Sequence, residues 1–180
     1  MVVNPKYSNA VMGWCVESAL NLIFDATVFV GKKIDRSGLF DFFKDNLQDQ
    51  TVTHHQISRV VFDIKRNNYL DFDNSDSVVF TNKAKMKIVD RFVNLTQKDG
   101  RYMLVSFDIP EIKRVGRNNF RRAIKRMGFR QIQKSLWVTD RNVGDLVEAA
   151  AVEYKVNEYV AYFVAEKSNI DQFIQNILKH

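Results

Sequence analysis

The sequence has few of the residues that mark secreted proteins and phosphate-loop enzymes. It contains one cysteine, Cys15, so no disulfide can form within the chain, and a reducing cytoplasm is the expected location. No basic segment followed by a short apolar core and a small-residue cleavage site is recognisable, so secretion is not expected. Seven glycines are present, and they form no glycine-rich phosphate loop. The three histidines suggest neither a nucleophile–base pair nor a zinc site.

Negative charge is missing from one long stretch. Residues 112–139 contain no Asp or Glu but hold nine basic residues: Lys113, Arg114, Arg117, Arg121, Arg122, Lys125, Arg126, Arg130 and Lys134. Solvated helices usually alternate charge signs, because oppositely charged residues one turn apart support each other. With a net charge of +6 for the chain, this stretch favours an anionic partner, nucleic acid first and an acidic membrane surface second.

A long apolar run near the start of the sequence raises the question of a membrane-spanning helix. Residues 10–30 are mostly apolar and long enough to span a bilayer. Glu17, Asn21 and Asp25 interrupt the run at every fourth position, so they share one helix face, and acids are costly at the centre of a membrane helix. We therefore expect no membrane partner. Instead, residues 1–34 should supply an amphipathic or buried helix that packs on the next domain.

Residues 35–97 show the order helix, turn, helix, hairpin, helix, which is typical of a winged helix-turn-helix. The helices should end near residues 47, 67 and 94, with caps at Ser37, at Thr51 or Thr53, and at Thr81. The hairpin should occupy residues 69–80 around a polar turn. The expected buried residues of the first two helices are Leu39, Phe42, Phe43, Leu47, Ile57, Val60, Val61 and Ile64.

The second of these helices is the candidate recognition helix. In a winged helix it enters the major groove. Its outer side would offer these residues to phosphates and base edges: His55, Ser58, Arg59, Phe62, Lys65 and Arg66. The hairpin carries Asp71, Asp73 and Asp76, which repel phosphate. A solvated helix, in a module used for packing or dimerisation, therefore stays open as an alternative.

Residues 98–180 predict the order β-α-β-β-α-β, which is that of a ferredoxin-like domain. The strands are expected at residues 102–107, 129–133, 136–139 and 158–164, and the helices at 111–127 and 143–154, with a terminal helix at 169–178. Gly128 should end the first helix. Its expected inward residues are Ile112, Val115, Phe120, Ala123, Ile124 and Met127. The overall class is α+β.

Several uncommon pieces occur in order within this half. They are FDIPE at residues 107–111, Arg117 and Arg121, Gly128-Phe129, and QKSLWV at residues 133–138. This signature resembles the ferredoxin-like domain of the PaaX-type transcriptional repressors, and it is similar to the small CRISPR-associated Cas-two proteins. The winged-helix pattern in front resembles the PaaX arrangement too, so the resemblance spans about residues 35–165.

The resemblance implies dimers that bind duplex DNA. PaaX-like repressors bind operator DNA and release it on binding an acyl-CoA, but the long helical domain of a full repressor is not recognisable here, and no small-molecule effector is evident. Some Cas-two proteins are described as metal-dependent nucleases whose metal ligand is the aspartate that ends the first strand. Asp108 occupies that position. Many Cas-two proteins give an extra strand to the partner, where this chain shows a helix.

Two roles are therefore possible for Asp108, one catalytic and one structural. As a catalytic residue it would bind Mg²⁺, with Glu111 one turn further on as a second ligand, because this cation prefers carboxylates, water and substrate phosphate. As a structural residue, it would cap the helix that follows or complement its dipole. The sequence leaves open whether the protein cleaves nucleic acid or only binds it.

The basic stretch suits phosphate contacts. At 3.6 residues per turn, Arg114, Arg117, Arg121 and Lys125 form one ridge, and Arg122 and Arg126 form another. Lys134 and Ser135 add a cation and a hydroxyl in the following turn. Arginine can contact phosphate through two nitrogens, and each neutralised phosphate releases counterions. The alternative is a structural set of cations paired with acids elsewhere, such as Asp140, Asp145 and Glu148. Phe129 and Trp137 are expected in the core.

The sequence thus predicts a cytoplasmic, homodimeric protein of three parts: residues 1–34, the winged helix at 35–97 and the ferredoxin-like domain at 98–180. Its predicted function is binding DNA or RNA, mainly through phosphates, in the manner of a small PaaX-like regulator. The two alternatives are a Mg²⁺-dependent endonuclease that uses Asp108 and a non-catalytic assembly protein.

Overall fold

The computed structural model describes residues 15–47 and 52–179. Helices and strands are mixed along the chain, which confirms the α+β class. The chain divides into two compact units, residues 1–79 and 80–180. This division falls before the helix expected to close the winged helix, whereas the sequence places a domain boundary near residue 97.

Residues 15–47 and 52–80 form three helices and a hairpin, and the last hairpin residue, Phe80, belongs to the second unit. α1 is Val16–Phe24 and continues as a π-helical turn, Asp25–Phe29. α2 is Leu39–Asn46 and α3 is His54–Arg66. β1, Leu70–Phe72, pairs with β2, Val78–Phe80. α3 contacts both other helices. The eight apolar residues expected to be buried on α2 and α3 are all buried: Leu39, Phe42, Phe43, Leu47, Ile57, Val60, Val61 and Ile64.

The cap of α3 agrees with the prediction and the cap of α2 does not. Thr53 forms a capping box, because its Oγ1 accepts from the Gln56 N–H while Gln56 Oε1 accepts from the Thr53 N–H. Ser37 does not cap α2. Gly38 occupies the N-cap position without a side-chain cap, and the Asp35 carboxylate accepts from the Gly38 N–H and the Ser37 hydroxyl just before the helix. The alternative cap at Thr51 lies outside the described residues.

The apolar run at residues 10–30 is split in the structure. Residues 10–14 lie outside the described part, and the rest forms α1 and the π-helical turn. Ala19, Leu20, Ile23 and Phe24 are buried. None of the helices in the described ranges has the length and apolar character needed to cross a membrane.

The second unit begins with two short helices instead of the one expected. Thr81 Oγ1 accepts from the Ala84 N–H and caps α4, Asn82–Lys87. The backbone then leaves helical geometry at Ile88 (φ −116°, ψ 35°), and α5 runs Val89–Leu95. Met86, Val89 and Val93 are buried in the core shared with the following sheet, so these helices belong with the second unit.

An antiparallel sheet of four strands follows. Its strands are β3 (Tyr102–Phe107), β4 (Arg130–Gln133), β5 (Leu136–Thr139) and β6 (Val160–Ala165). Their order across the sheet is β4-β5-β3-β6. β3 is therefore central and pairs antiparallel with both β5 and β6. β4 and β6 form the two edges.

The helices of this unit lie on both sides of the sheet. α6 (Arg114–Arg126) and α7 (Gly144–Glu153) pack on the side that holds Met103, Val105 and Phe107 of β3. Alternate residues of a strand face opposite sides, so Tyr102 faces the other side, where it packs with Val138 and Ile174. Ile174 belongs to α8, Asp171–Leu178. The 3₁₀ turns Glu111–Lys113 and Asn157–Tyr159 precede α6 and β6.

Candidate nucleic-acid interface

α6 is an amphipathic helix with a well-defined end. Phe120, Ala123 and Ile124 are buried against the sheet. The helix ends in a Schellman motif: the Gly128 N–H donates to Lys125 O and the Phe129 N–H donates to Ile124 O. Gly128 has φ +89°, a conformation that glycine adopts without strain. The predicted stop signal at Gly128 is confirmed.

The start of α6 differs from the prediction. Ile112 and Val115 were expected to face inward, but they are 93% and 75% exposed. Residues 111–113 form a 3₁₀ turn, and regular α-helix begins only at Arg114. Because a 3₁₀ turn has a tighter repeat than an α-helix, the i, i+3, i+4 spacing does not carry back to Ile112. Val115 lies within α6, but it is five residues before the buried Phe120, and this spacing turns its side chain about 140° away from Phe120 around the helix.

Two arginines of the predicted phosphate ridge have an acidic partner. Arg117 Nη2 lies 2.7 Å from Glu111 Oε2, and Arg117 Nη1 also donates to Ile109 O at 3.2 Å. Arg114 Nε lies 3.8 Å from Glu111 Oε1. Glu111 stands one residue before the acid-free stretch, so the absence of acids in residues 112–139 does not leave these arginines unpaired.

Arg126 is held by the second unit's own helices. Its guanidinium contacts Asp90 Oδ2 at 2.6 Å and donates to the carbonyl oxygens of Met86 at 3.0 Å and Lys87 at 3.4 Å. These contacts join the C-terminal end of α6 to the C-terminal end of α4. The acids that neutralise this helix are thus Glu111 and Asp90. Of the three acids named as alternatives, Asp140 forms an ion pair with Lys98.

Arg121 and Lys125 are the cations of the ridge that contact no carboxylate among the described residues. Both lie over the ring of Trp137 in β5, with the Arg121 guanidinium carbon 5.7 Å and the Lys125 Nζ 5.8 Å from its centroid. Trp137 is buried, as expected, so it supports the two cations from below. We call these two residues the Arg121–Lys125 pair.

The β4–β5 turn lies two residues before Trp137 in the sequence. Lys134 and Ser135 form this turn and are exposed. Gln131 Nε2 donates to the carbonyl oxygens of Gln133 and Lys134 and so orders the turn. The turn therefore places one more cation and one hydroxyl on the connection that leads into the strand beneath the Arg121–Lys125 pair.

The outer side of α3 is exposed along its length. The residues proposed from the sequence are all exposed: His55, Ser58, Arg59, Phe62, Lys65 and Arg66. Phe62 is 58% exposed, in contrast to the buried aliphatic residues of the same helix. The Arg66 guanidinium lies 6.0 Å from its ring centroid. This face can offer three cations and an apolar contact to a duplex.

The acids of the hairpin have local roles. Asp73 Oδ1 accepts from the Ser75 hydroxyl at 2.7 Å and from the N–H groups of Ser75 and Ser77. These hydrogen bonds, led by the Ser75 hydroxyl, hold the pKa of Asp73 below its ordinary value. Asp76 lies 3.9 Å from Arg36 Nε. The carboxylates thus organise the turn, although their negative charge stays at its tip.

Asp108 stands alone as a candidate metal ligand. Its side chain is exposed at the end of β3, and it does not cap the 3₁₀ turn, which has no side-chain cap. Glu111 is occupied by Arg114 and Arg117. In residues 15–47 and 52–179, no group of three His, Cys, Asp or Glu side chains is placed to hold a metal ion. Of the two proposed ligands, Asp108 is therefore the one without an ion-pair partner among the described residues.

The sequence did not reveal which acidic or aromatic residues contact each cation of α6. Asp90 lies 36 residues before Arg126, and no local pattern connects them. The sequence indicated only part of the cation–aromatic contacts: Arg121 and Lys125 are one helical turn apart, so they share a face. It did not indicate that Trp137 lies beneath that face.

Comparison with known families identifies the segment that contains the sheet. Residues 95–175 match the family model described as the PaaX protein central Cas2-like domain. The matched segment runs from the last residue of α5 into α8 and includes the whole sheet, α6 and α7. No curated protein and no solved structure matches the chain.

Proposed function

We propose that the protein is a homodimeric DNA-binding regulator of the PaaX-like and Cas2-like family, because residues 95–175 match the model of the PaaX central Cas2-like domain. The Cas2-like segment would bind the DNA backbone through α6, and the first unit would approach the duplex with α3. We further propose that the first unit, with α4 and α5, is a winged helix-turn-helix. The segment from β3 to β6 would be a ferredoxin-like domain, which its element order and the strand order β4-β5-β3-β6 support.

The observation that carries the proposal is the Arg121–Lys125 pair. Both cations extend from a helix anchored in the core, and neither contacts a carboxylate in the described part of the chain. Phosphate contact would therefore require no ion pair to be broken at these two residues. Arg114, Arg117 and Arg126 already have acidic partners, so they should contribute less.

The test is a fluorescence-anisotropy titration of labelled duplex DNA at several salt concentrations. Arg121→Ala and Lys125→Ala should each weaken binding alike on unrelated sequences and reduce the salt slope by about 0.9 for each phosphate that is no longer neutralised. Lys44→Ala removes the same charge from an exposed position on α2 and is the matched control. Equal affinities and slopes for all three variants and the wild type would overturn phosphate binding by α6.

Sequence preference is a separate property and belongs to α3. Arg59 is exposed on the outer face of that helix. After selection of preferred sites from a random DNA pool, Arg59→Ala should narrow the affinity gap between selected and random duplexes by about 1–3 kcal/mol. If the gap is unchanged while Arg121→Ala still weakens binding, the protein binds DNA without reading its sequence through Arg59.

The endonuclease alternative is tested on the same samples. Of the two proposed ligands, Asp108 alone lacks an ion-pair partner in the described part of the chain, so we expect shifted but intact DNA and RNA with Mg²⁺ and with EDTA, for both wild type and Asp108→Ala. Cleavage that requires the metal and is lost in Asp108→Ala would identify a nuclease instead. If the protein binds no nucleic acid, both the regulator and the nuclease are excluded, and the result favours a non-catalytic assembly protein.

A further inference from the structure

The outer strand β6 exposes an apolar segment. Tyr162, Phe163 and Val164 are consecutive and are 44%, 56% and 52% exposed. Because side chains alternate along a strand, these residues expose apolar surface on both sides of the sheet. Within the described residues, β6 pairs with β3 on one side and with no strand on the other. A monomer would leave this apolar edge in water.

The main chain of β6 also has unused hydrogen-bonding groups on its outer side. The Asp108 N–H donates to Tyr159 O at 3.2 Å, whereas the Phe107 N–H points the other way, to Ser135 O in the turn before β5. In an antiparallel ladder these directions alternate from residue to residue. Residues 161, 163 and 165 therefore bond to β3, and the N–H and C=O groups of Val160, Tyr162 and Val164 point outward.

The opposite edge of the sheet is protected against pairing, and β6 is not. β4 has the sequence RQIQ, in which Arg130, Gln131 and Gln133 are exposed, and its pairing with β5 is irregular between Gln131 and Gln133. Charge, polar side chains and irregular pairing are the usual protections of an edge strand. The six residues of β6, VAYFVA, include no charge, no proline and no glycine.

We propose that β6 pairs with β6 of a second copy of this chain, antiparallel about a twofold axis, so that one sheet continues through both subunits. An antiparallel strand is complementary to its own copy, because each outward donor meets an outward acceptor at the symmetry-related position. The proposal specifies the interface of the homodimer in the proposed function. It does not depend on nucleic-acid binding.

Side-chain pairing within the strand selects the register. A twofold axis normal to the sheet can be centred on Tyr162 or on Phe163, because paired residues must face the same side. Centring on Tyr162 would put the two Tyr162 residues in a hydrogen-bonded pair, in which side chains lie further apart. Centring on Phe163 puts the two Phe163 residues in a non-hydrogen-bonded pair, in which side chains lie closer, and places Tyr162 opposite Val164 of the partner subunit. The two Phe163 rings then meet, and aromatic pairs of this kind stabilise sheets.

This register makes a sharp prediction for cross-linking. The main chain of Phe163 points toward β3, so the two Phe163 residues form a non-hydrogen-bonded pair, with Cα atoms about 4.5 Å apart, within the range for a disulfide. Two copies of residue 162, or of residue 164, are offset along the strands by two residues, roughly 7 Å. That offset puts their Cα atoms beyond disulfide reach.

The experiment compares single-cysteine variants of the full-length protein. Cys15→Ser removes the native thiol, and Phe163→Cys, Tyr162→Cys or Val164→Cys adds one at the edge. Phe173→Cys on α8, 51% exposed, reports random collision. After mild oxidation without DNA, Phe163→Cys should form a covalent dimer in at least tenfold greater yield than the other three. Equal yields in all four, or the highest yield in Tyr162→Cys or Val164→Cys, would overturn the proposed pairing.

A backbone variant tests the edge independently. Tyr162→Pro removes an outward N–H without removing a bond to β3, so the fold should be kept while the dimer is lost. Light scattering coupled to gel filtration should give a dimer for the wild type and a monomer for Tyr162→Pro, with matching circular dichroism. A wild-type monomer, or a Tyr162→Pro dimer, would contradict the proposal. No DNA is present in these measurements, so a result against β6 pairing does not bear on whether the protein binds DNA.

Discussion

At the scale of the residue, Gly116 sets how closely two helices approach. It lies in α6, and a Cβ at this position would be 2.5 Å from the backbone oxygen of Tyr154 and 3.0 Å from Cγ1 of Val156. Tyr154 ends α7. The absence of a side chain at residue 116 thus lets the first turn of α6 pack against the end of α7, which holds the basic helix in place.

Gly116→Ala should therefore destabilise the protein, although alanine ordinarily stabilises a helix by about 0.5–1 kcal/mol relative to glycine. The severe clash is with the backbone oxygen of Tyr154, which cannot move away without shifting the main chain, and we expect a net loss of about 1–3 kcal/mol. Urea unfolding followed by circular dichroism measures it. Asn118→Ala, at an exposed position two residues further on, is the control and should stabilise slightly. A stabilised Gly116→Ala would show that the helices separate easily.

The ionised carboxylate of Asp73 should stabilise the hairpin turn. Its pKa is lowered by hydrogen bonds to the carboxylate, so the folded value lies below the unfolded one of about 3.9. The stabilisation is then fully present above the unfolded pKa and is lost as pH falls through the folded pKa. An NMR titration should give a midpoint below the ordinary value, and Ser75→Ala should raise it. An unchanged midpoint in Ser75→Ala would refute the assigned cause.

At the scale of the element, the cations of α6 have two kinds of surroundings along its length. Its C-terminal arginine, Arg126, is bound to Asp90 and to two carbonyl oxygens at the end of α4. The Arg121–Lys125 pair, in contrast, lies over an aromatic ring and keeps its charges available. Neighbouring cations on one helix therefore divide between those bound within the unit and those that, in the proposed function, meet an anionic partner.

Arg126→Ala should reduce stability more than DNA affinity. The change leaves Asp90 and two carbonyl oxygens without their donor, and hydrogen bonds to charged groups contribute about 1.5–3 kcal/mol each in favourable settings. Because Arg126 is 40% exposed, we expect a loss of only about 1–2 kcal/mol for the whole cluster. Arg122→Ala removes a neighbour that bonds only locally, to Asn119, and should change stability by less than about 0.5 kcal/mol. Thermal unfolding of both variants, beside their DNA titrations, separates the two effects.

At the scale of the whole molecule, the dimer and the DNA interface should be linked. If two subunits share one sheet through β6, each dimer presents two Arg121–Lys125 pairs to one duplex. The monomeric variant Tyr162→Pro should then bind DNA with roughly half the wild-type salt slope, because the slope counts neutralised phosphates. Anisotropy titrations over several salt concentrations measure it. A monomer with the full wild-type slope would mean that one subunit makes all the phosphate contacts.

The local pattern alone predicted much of the fold. The spacing of Ile57, Val60, Val61 and Ile64 identified the buried face of α3, and Thr53 marked its start, because helix periodicity and capping act within a few residues. The strands Tyr102–Phe107 and Leu136–Thr139 and the stop at Gly128 were readable for the same reason. The break at Ile88 and the 3₁₀ turn before α6 were not, since several backbone states there have similar local free energies and packing decides between them.

The sequence by itself determined the α+β class, the buried faces of most helices and the collection of nine cations between residues 112 and 139. Only the tertiary structure decided which of those cations are neutralised. Glu111 and Asp90 pair with Arg117 and Arg126, while Arg121 and Lys125 lie over Trp137. It also decided that β6 lies at an edge, with its outer backbone groups unpaired among the described residues. The physical reason is that ion pairing and strand order depend on contacts between distant segments, which no local periodicity encodes.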